Sequence, residues 1–259
     1  MEATAPKKVD QPSVTPDWSP LREGEQLVDL AFVPDGSRLR LVQSGDDFAI
    51  LLDHNELMST DLFASEQTLA RLACAQMGGR PCVQMLIGGY GMGYTLRAAL
   101  EDLGEDAEVT VAEIVPKVVE WARGPMRRIT NGCLDDPRVQ LVQDDVAMLI
   151  EAASGGYDCI LLDVDNGPEG LTRGINDWLY SDEGLAAARR ALRPDGLLAI
   201  WSASHDDRFA GRLARSGFAV TVIETERATG TAGDSDAADH VIIVAHRQPA
   251  SDAPIRRAS

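Results

Sequence analysis

From residue 83 onward, hydrophobic positions alternate between short unbroken apolar runs and stretches whose apolar residues recur every three or four positions. The runs at 83–87, 108–112, 139–142, 157–162 and 196–201 have no polar face, as expected of strands buried on both sides of a parallel sheet. The stretches at 94–103, 116–129, 145–153, 182–192 and 206–215 read as helices. Two further strands, 218–224 and 239–246, close the series as a hairpin whose polar, glycine-rich tip begins at Arg227. This succession predicts an α/β domain, a doubly wound, mostly parallel sheet with helices on both faces. Upstream the rhythm differs. Between Leu27 and Asp53, three short runs are separated by turns at Asp35-Gly36 and Gly45-Asp46, which predicts a small N-terminal antiparallel β segment. Leu57 to Met77 reads as one helix, with Leu62, Phe63, Leu69, Leu72, Ala73 and Met77 on one face and Gly78-Gly79 as its stop. The expected division is a disordered leader over 1–20, a β segment over 21–56, the main domain over 57–248 and a flexible tail over 249–259.

The first parallel strand runs directly into Gly88, Gly89, Gly91 and Gly93, and a helix opens at Tyr94. Strand, glycine turn and helix is the Rossmann-like arrangement in which backbone N–H groups and a helix N-terminus meet a nucleoside ligand at close range. The second strand ends at Glu113, twenty positions after Gly93, where such folds place a carboxylate on the ribose hydroxyls. An acid that merely opens the next helix would look the same. The third strand ends at Asp144-Asp145 and the fourth at Asp163-Val164-Asp165-Asn166. Because ligands bind beyond the C-terminal ends of parallel strands, these residues share one rim. Asp144 suits an adenine amino group, while Asp145 is explained as a helix cap. Asp163 is the reactive candidate, a carboxylate placed to orient an attacking amine and accept its proton. A structural acid bonded to its own loop is the other reading.

Composition narrows the partners. A net charge of −17 over 259 residues disfavours nucleic acid and anionic membranes and tolerates cationic small molecules. The four cysteines, Cys74, Cys82, Cys133 and Cys159, lack CxxC spacing and read as reduced thiols of a cytoplasmic protein. The four histidines form no metal-binding pattern, so no metal is expected. No signal peptide or spanning helix is expected either.

Several of these segments carry a resemblance. Gly89 to Arg97 with Glu113, Asp136-Pro137-Arg138-Val139, Asp144, Tyr157-Asp158, Asp163 and Leu192-Arg193-Pro194-Asp195-Gly196 resemble the spermidine synthase (polyamine aminopropyltransferase) family. The likeness spans about residues 40 to 246 and implies the class I S-adenosylmethionine-dependent methyltransferase type of fold. It further implies S-adenosylmethionine or its decarboxylated form as co-substrate and a small amine as acceptor. By resemblance Glu113 holds the ribose, Asp144 the adenine, and Asp163 faces the amine. Asp165 and Asn166 follow in the acceptor loop, Glu66 lies on the first helix beside the acceptor, and a homodimer forms through the N-terminal β region. The departures concern the acceptor half. The glycine loop carries no acid and is one residue longer. Asn166 replaces the loop's second aspartate, Ser65-Glu66-Gln67 stands for Tyr-His-Glu, and the stretch 227–239 replaces a Tyr-Pro-Ser-Gly segment.

Three functions follow. One is aminopropyl transfer from decarboxylated S-adenosylmethionine to an amine, with Asp163 as base. Another is methyl transfer from S-adenosylmethionine, favoured by the missing loop acid. A third is nucleoside binding without catalysis, against which Asp163 and Asp165 argue. A nicotinamide-dependent dehydrogenase would need a Tyr-x-x-x-Lys or similar hydride machinery, which the chain lacks.

Overall fold

The computed structural model describes residues 20–53, 55–164, 176–225 and 240–249. All but the last residue of the expected leader, most of the tail, the 227–239 loop, Asp165 and Asn166 therefore lie outside the described residues. Two sheets organise the rest. The small one is an antiparallel meander of β1 (Glu25–Phe32), β2 (Arg38–Ser44), β3 (Asp47–Leu52) and β4 (Asn55–Ser59). After α1 (Ala64–Met77), the chain enters the main sheet. Its strands are β5 (Gln84–Gly88), β6 (Glu108–Ala112), β7 (Val139–Val142), β8 (Tyr157–Leu162), β9 (Leu192–Ser202), β10 (Phe218–Thr225) and β11 (His240–Arg247). Their spatial order is β10-β11-β9-β8-β5-β6-β7. The five strands from β9 to β7 are parallel, and β11 inserts antiparallel between β9 and β10. The helices between them are α2 (Tyr94–Asp102), α3 (Pro116–Arg123), α4 (Arg127–Thr130), α5 (Val146–Ala152), α6 (Asp182–Ala191) and α7 (Asp207–Arg215).

The unbroken apolar runs are explained by a core on each face of this sheet. Met85, Ile87, Cys159, Leu161, Leu197 and Ala199 pack with α1, α2, α3 and the small sheet. Their neighbours Leu86, Ile160, Leu162, Leu198 and Ile200 pack on the other face with α5, α6 and α7. Side chains alternate faces along each strand, and both faces are buried, so no polar position is needed. Asp158 at the start of β8 is buried between Arg80 and Arg193, each at 2.7 Å, and also accepts from the Gln84 N–H at 2.9 Å. It clamps the N-terminal edge of the sheet, away from the strand ends that carry the site.

Three expected elements differ. The helix expected from Leu57 begins only at Ala64, because Asn55–Ser59 pairs with β3 as a fourth strand, Ala49 opposite Ser59. Here tertiary pairing overrides a helical apolar pattern. The helix expected over 116–129 breaks after Arg123 at Gly124-Pro125 and resumes as the single turn α4. A residue before proline is kept out of the helical region. The strand expected over 196–201 starts at Leu192, which pairs with Tyr157 ahead of an irregularity where Asp195 takes a φ of 61°.

Candidate functional site

The strand order reverses between β5 and β8, and ligands of open α/β sheets bind in the crevice at that point. The two strand ends meet tightly there. The Asp163 N–H donates to the Gly88 carbonyl at 2.9 Å. A Cβ on Gly89 would lie 2.1 Å from the Asp163 carbonyl oxygen, and Gly89 has a φ of 85°, so only glycine fits. Gly89 and Gly91 line a narrow cavity of about 100 Å³ together with Glu113, Ile114, Val115, Asp144, Asp145 and Asp163. Gly88 and Gly93 line neither this cavity nor the next. Gly88 instead lies against Val146 and Val164, and Gly93 packs beneath the Tyr90 ring, so these two shape the turn.

Glu113 is buried at the end of β6. Its Oε2 accepts from the Tyr90 N–H at 3.1 Å and its Oε1 from the Val115 N–H at 2.8 Å. Burial pushes its proton affinity up, and the backbone donors around it, Gly91 and Ile114 included, pull it back. The same carboxylate lines the narrow cavity, so it braces the glycine loop and also faces the ligand space. Asp144 is exposed at the cavity edge, its Oδ1 accepting the next residue's N–H at 2.8 Å. Asp145 caps α5 by accepting from the Ala147 N–H at 2.8 Å.

Beyond Leu57, Met58, Gly91, Asp163 and Val164, which both cavities share, a second chamber of about 660 Å³ opens. Its walls include Glu66, Tyr90, Tyr94, Trp201 and His240. Asp163 stands at the junction, with its Oδ2 held by the Thr95 hydroxyl at 2.6 Å. Burial raises its carboxyl to about 6. Glu66 is raised to about 7, by burial first and then by the nearby Asp163 charge. Glu66 Oε2 accepts from the Ser65 hydroxyl at 2.7 Å, and the same hydroxyl oxygen lies 2.9 Å from His240 Nδ1. Phe63 stacks on Tyr94 at 4.7 Å, and the Trp201 and His240 rings meet edge to face at 4.7 Å. A chamber with two proton-hungry carboxylates and aromatic walls suits a cation, because a positive charge relieves the repulsion between the acids.

The structure thus brings Gly89, Gly91, Glu113, Asp144, Asp163 and Glu66 around two connected cavities. Sequence reasoning missed Thr95, Ser65, Trp201 and His240. Thr95 carried a signal, as the second residue of the helix that follows the glycine loop. His240 and Trp201 carried none, because β9 and β11 reach the site only through the sheet's pairing. Among the described residues no group of histidine, cysteine and acidic side chains could hold a metal ion.

The sheet order and the helices around it define an α/β fold of the class I methyltransferase type. Residues 78–205 match the family model described as Spermine/spermidine synthase domain. The polyamine aminopropyltransferase of Mycobacterium tuberculosis (strain H37Rv) is 31% identical over 191 residues, covering 70% of this chain and 35% of that protein. This chain therefore spans about a third of that relative's length. The Aeropyrum pernix polyamine aminopropyltransferase is 28% identical over 197 residues, covering 74% of this chain and 60% of that protein. Among solved structures, the spermidine synthase from Thermotoga maritima superposes with a TM-score of 0.68 at 20% identity, over 85% of this chain and 72% of that one. The Burkholderia thailandensis 1,6-didemethyltoxoflavin-N1-methyltransferase reaches 0.51 at 20% identity, over 72% of this chain and 80% of that one. At these identities the two structures speak for the fold alone.

Proposed function

We propose that this protein is a transferase that moves an alkyl group from a sulfonium nucleoside to an amine, in the manner of the polyamine aminopropyltransferases it resembles. The observation that carries this reading is the half-buried acid pair Asp163 and Glu66 where the two cavities join. In this reading Gly89, Gly91, Glu113 and Asp144 hold the nucleoside of decarboxylated S-adenosylmethionine. The amine lies in the larger chamber as an ammonium ion. Asp163 takes its proton, the freed lone pair forms the new C–N bond, and the C–S bond breaks with its electrons going to sulfur. Glu66 keeps the amine cationic until it is aligned and lowers the free energy of the charged approach. The exposed apolar residues of edge strand β1, Phe32 above all at 65% exposure, support association of two copies through the small sheet. The four cysteines carry free thiols, which supports a reducing, cytoplasmic setting.

Methyl transfer from S-adenosylmethionine is the second reading, and one observation favours it. The loop from Gly88 to Gly93 presents no carboxylate, so nothing in it repels a donor that keeps its own carboxylate. Two measurements decide. Calorimetric titration with S-adenosylmethionine, its decarboxylated form and methylthioadenosine should show the decarboxylated donor binding more tightly than S-adenosylmethionine. The reverse order sinks aminopropyl transfer. Asp163→Asn should then leave nucleoside affinity nearly unchanged and lower amine turnover by about 10²–10⁴, the range of a positioned base. Full turnover in that variant would remove Asp163 from the chemistry.

A further inference from the structure

We propose that Glu66, Ser65 and His240 form a proton relay that carries the acceptor's proton away from the acid pair. The inference rests on the amine-acceptor reading and concerns a step that reading leaves open. One proton is released for each ammonium converted into an attacking amine, and it enters a site whose two carboxylates are walled by Leu57, Met58, Tyr90, Tyr94 and Trp201. A proton left on the pair would block the next acceptor, since a neutral acid neither attracts the ammonium nor takes its proton.

The geometry supplies an exit. Ser65 Oγ is 2.7 Å from Glu66 Oε2 and 2.9 Å from His240 Nδ1, so one hydroxyl touches both groups. Ser65 is buried at the start of α1, which keeps bulk water from short-circuiting the contact. With Glu66 ionised, the hydroxyl donates to Oε2. Once Glu66 has taken the proton over from Asp163 across the chamber they share, its Oε2–H can donate to Ser65 Oγ, and the serine hydrogen turns to His240 Nδ1, which accepts in the tautomer protonated on Nε2. Moving both hydrogens along these bonds leaves Glu66 as the carboxylate, Ser65 as a neutral hydroxyl and His240 as imidazolium. No oxidant or co-reactant is needed. His240 is half-buried, and in this scheme its imidazolium hands the proton on toward solvent.

The surroundings set the direction. Asp163 faces Glu66 and holds its proton affinity up, and Tyr94 adds a polar wall from α2. Arg22 and Glu56 line the same chamber, and Arg22 is largely exposed and turned to Glu25. The Trp201 and His240 rings meet edge to face, which fixes the orientation of the imidazole. An arriving ammonium ion drives the carboxylate pair toward ionisation and so pushes the proton toward His240. Ser65 and His240 are positioning residues in this scheme.

The full chain with Ser65→Ala, and separately with His240→Gln, tests it. Turnover with a diamine should fall roughly tenfold or more, below the effect of losing the base itself. The amine's KM should change little, and the rate should climb again as imidazole buffer is raised, because a diffusing base replaces the relay. A loss that buffer does not restore would assign these residues to packing, and unchanged turnover would remove the relay. A second readout does not need activity. In ¹⁵N spectra of labelled protein, His240 should sense the titration of Glu66, and Ser65→Ala or Glu66→Gln should abolish that inflection. An inflection that survives Ser65→Ala overturns the proposal. If the unmodified protein turns over no amine at all, the acceptor reading falls, and the His240 spectra still decide the coupling.

Discussion

At the residue scale, Asp163 and Glu66 are acids whose burial raises their proton affinity, and this ties activity to stability. Glu66 moves from 4.5 to about 7 on folding. Below pH 4.5 it is protonated in both states and makes no difference. Between 4.5 and about 7 the folded chain keeps a proton that the unfolded chain has released, so stability falls as pH rises. Above 7 the deficit is constant. Glu66→Gln should therefore raise the unfolding midpoint at pH 8, by roughly 1–3 kcal/mol equivalent, and leave it unchanged near pH 4. Thermal melts of the pair at the two pH values check this, and an equal effect at both would show that Glu66 is not held protonated by the fold. Amine turnover carries the opposite slope. It should rise through about pH 6 as Asp163 ionises and becomes able to take a proton.

At the element scale, the site depends on how closely two strand ends approach. The β5 glycine turn and the end of β8 leave no room for a methyl group at Gly89, where the obstacle is backbone. Gly79 makes a useful control: its φ is 72°, but a Cβ there meets nothing within 4 Å. Gly79→Ala should cost only the left-handed backbone penalty, about 1–2 kcal/mol. Gly89→Ala should cost clearly more and should also weaken nucleoside binding, since β8 can relieve the clash only by moving Asp163. Denaturant titrations of both variants measure the difference, and equal losses would show that the contact yields freely. The β4 strand acts at this scale too. It places Leu57 and Met58 between the two cavities, so a segment expected to be helical is instead a wall of the site.

At the scale of the whole molecule, the small sheet closes one side of the site and joins the main domain through Asp29. That carboxylate accepts from the Trp121 ring N–H at 2.9 Å and pairs with Lys117 at 3.2 Å, both on α3. The outer strand of the same sheet exposes Leu27, Val28 and Phe32. If two copies meet there, light scattering should give a dimer mass that holds over a tenfold dilution, and Phe32→Asp should shift it toward the monomer. A monomer mass for the unmodified chain over that range would end the proposal. Strong negative charge opposes close approach of two copies, so the dimer should tighten as salt is raised.

The alternation of apolar runs and helical stretches was enough to foresee the parallel sheet, because strands buried on both faces leave an unbroken apolar signature. The glycine loop and the acids at successive strand ends were legible for the same reason: βα connections put functional residues at fixed places in the order of the chain. Helix limits near residues 57 and 124 were not legible. One was decided by pairing with the strand just before it, β3, the other by Gly124-Pro125 at the break. The acceptor chamber was the least visible part. Glu66 and Asp163 are nearly a hundred residues apart, and Ser65 meets His240 across 175 positions. No local pattern encodes such meetings. Only the closing of β11 against β9, and of α1 against both, put a hydroxyl, an imidazole and two carboxylates within reach of one another, and only their shared burial raised the acids toward neutrality.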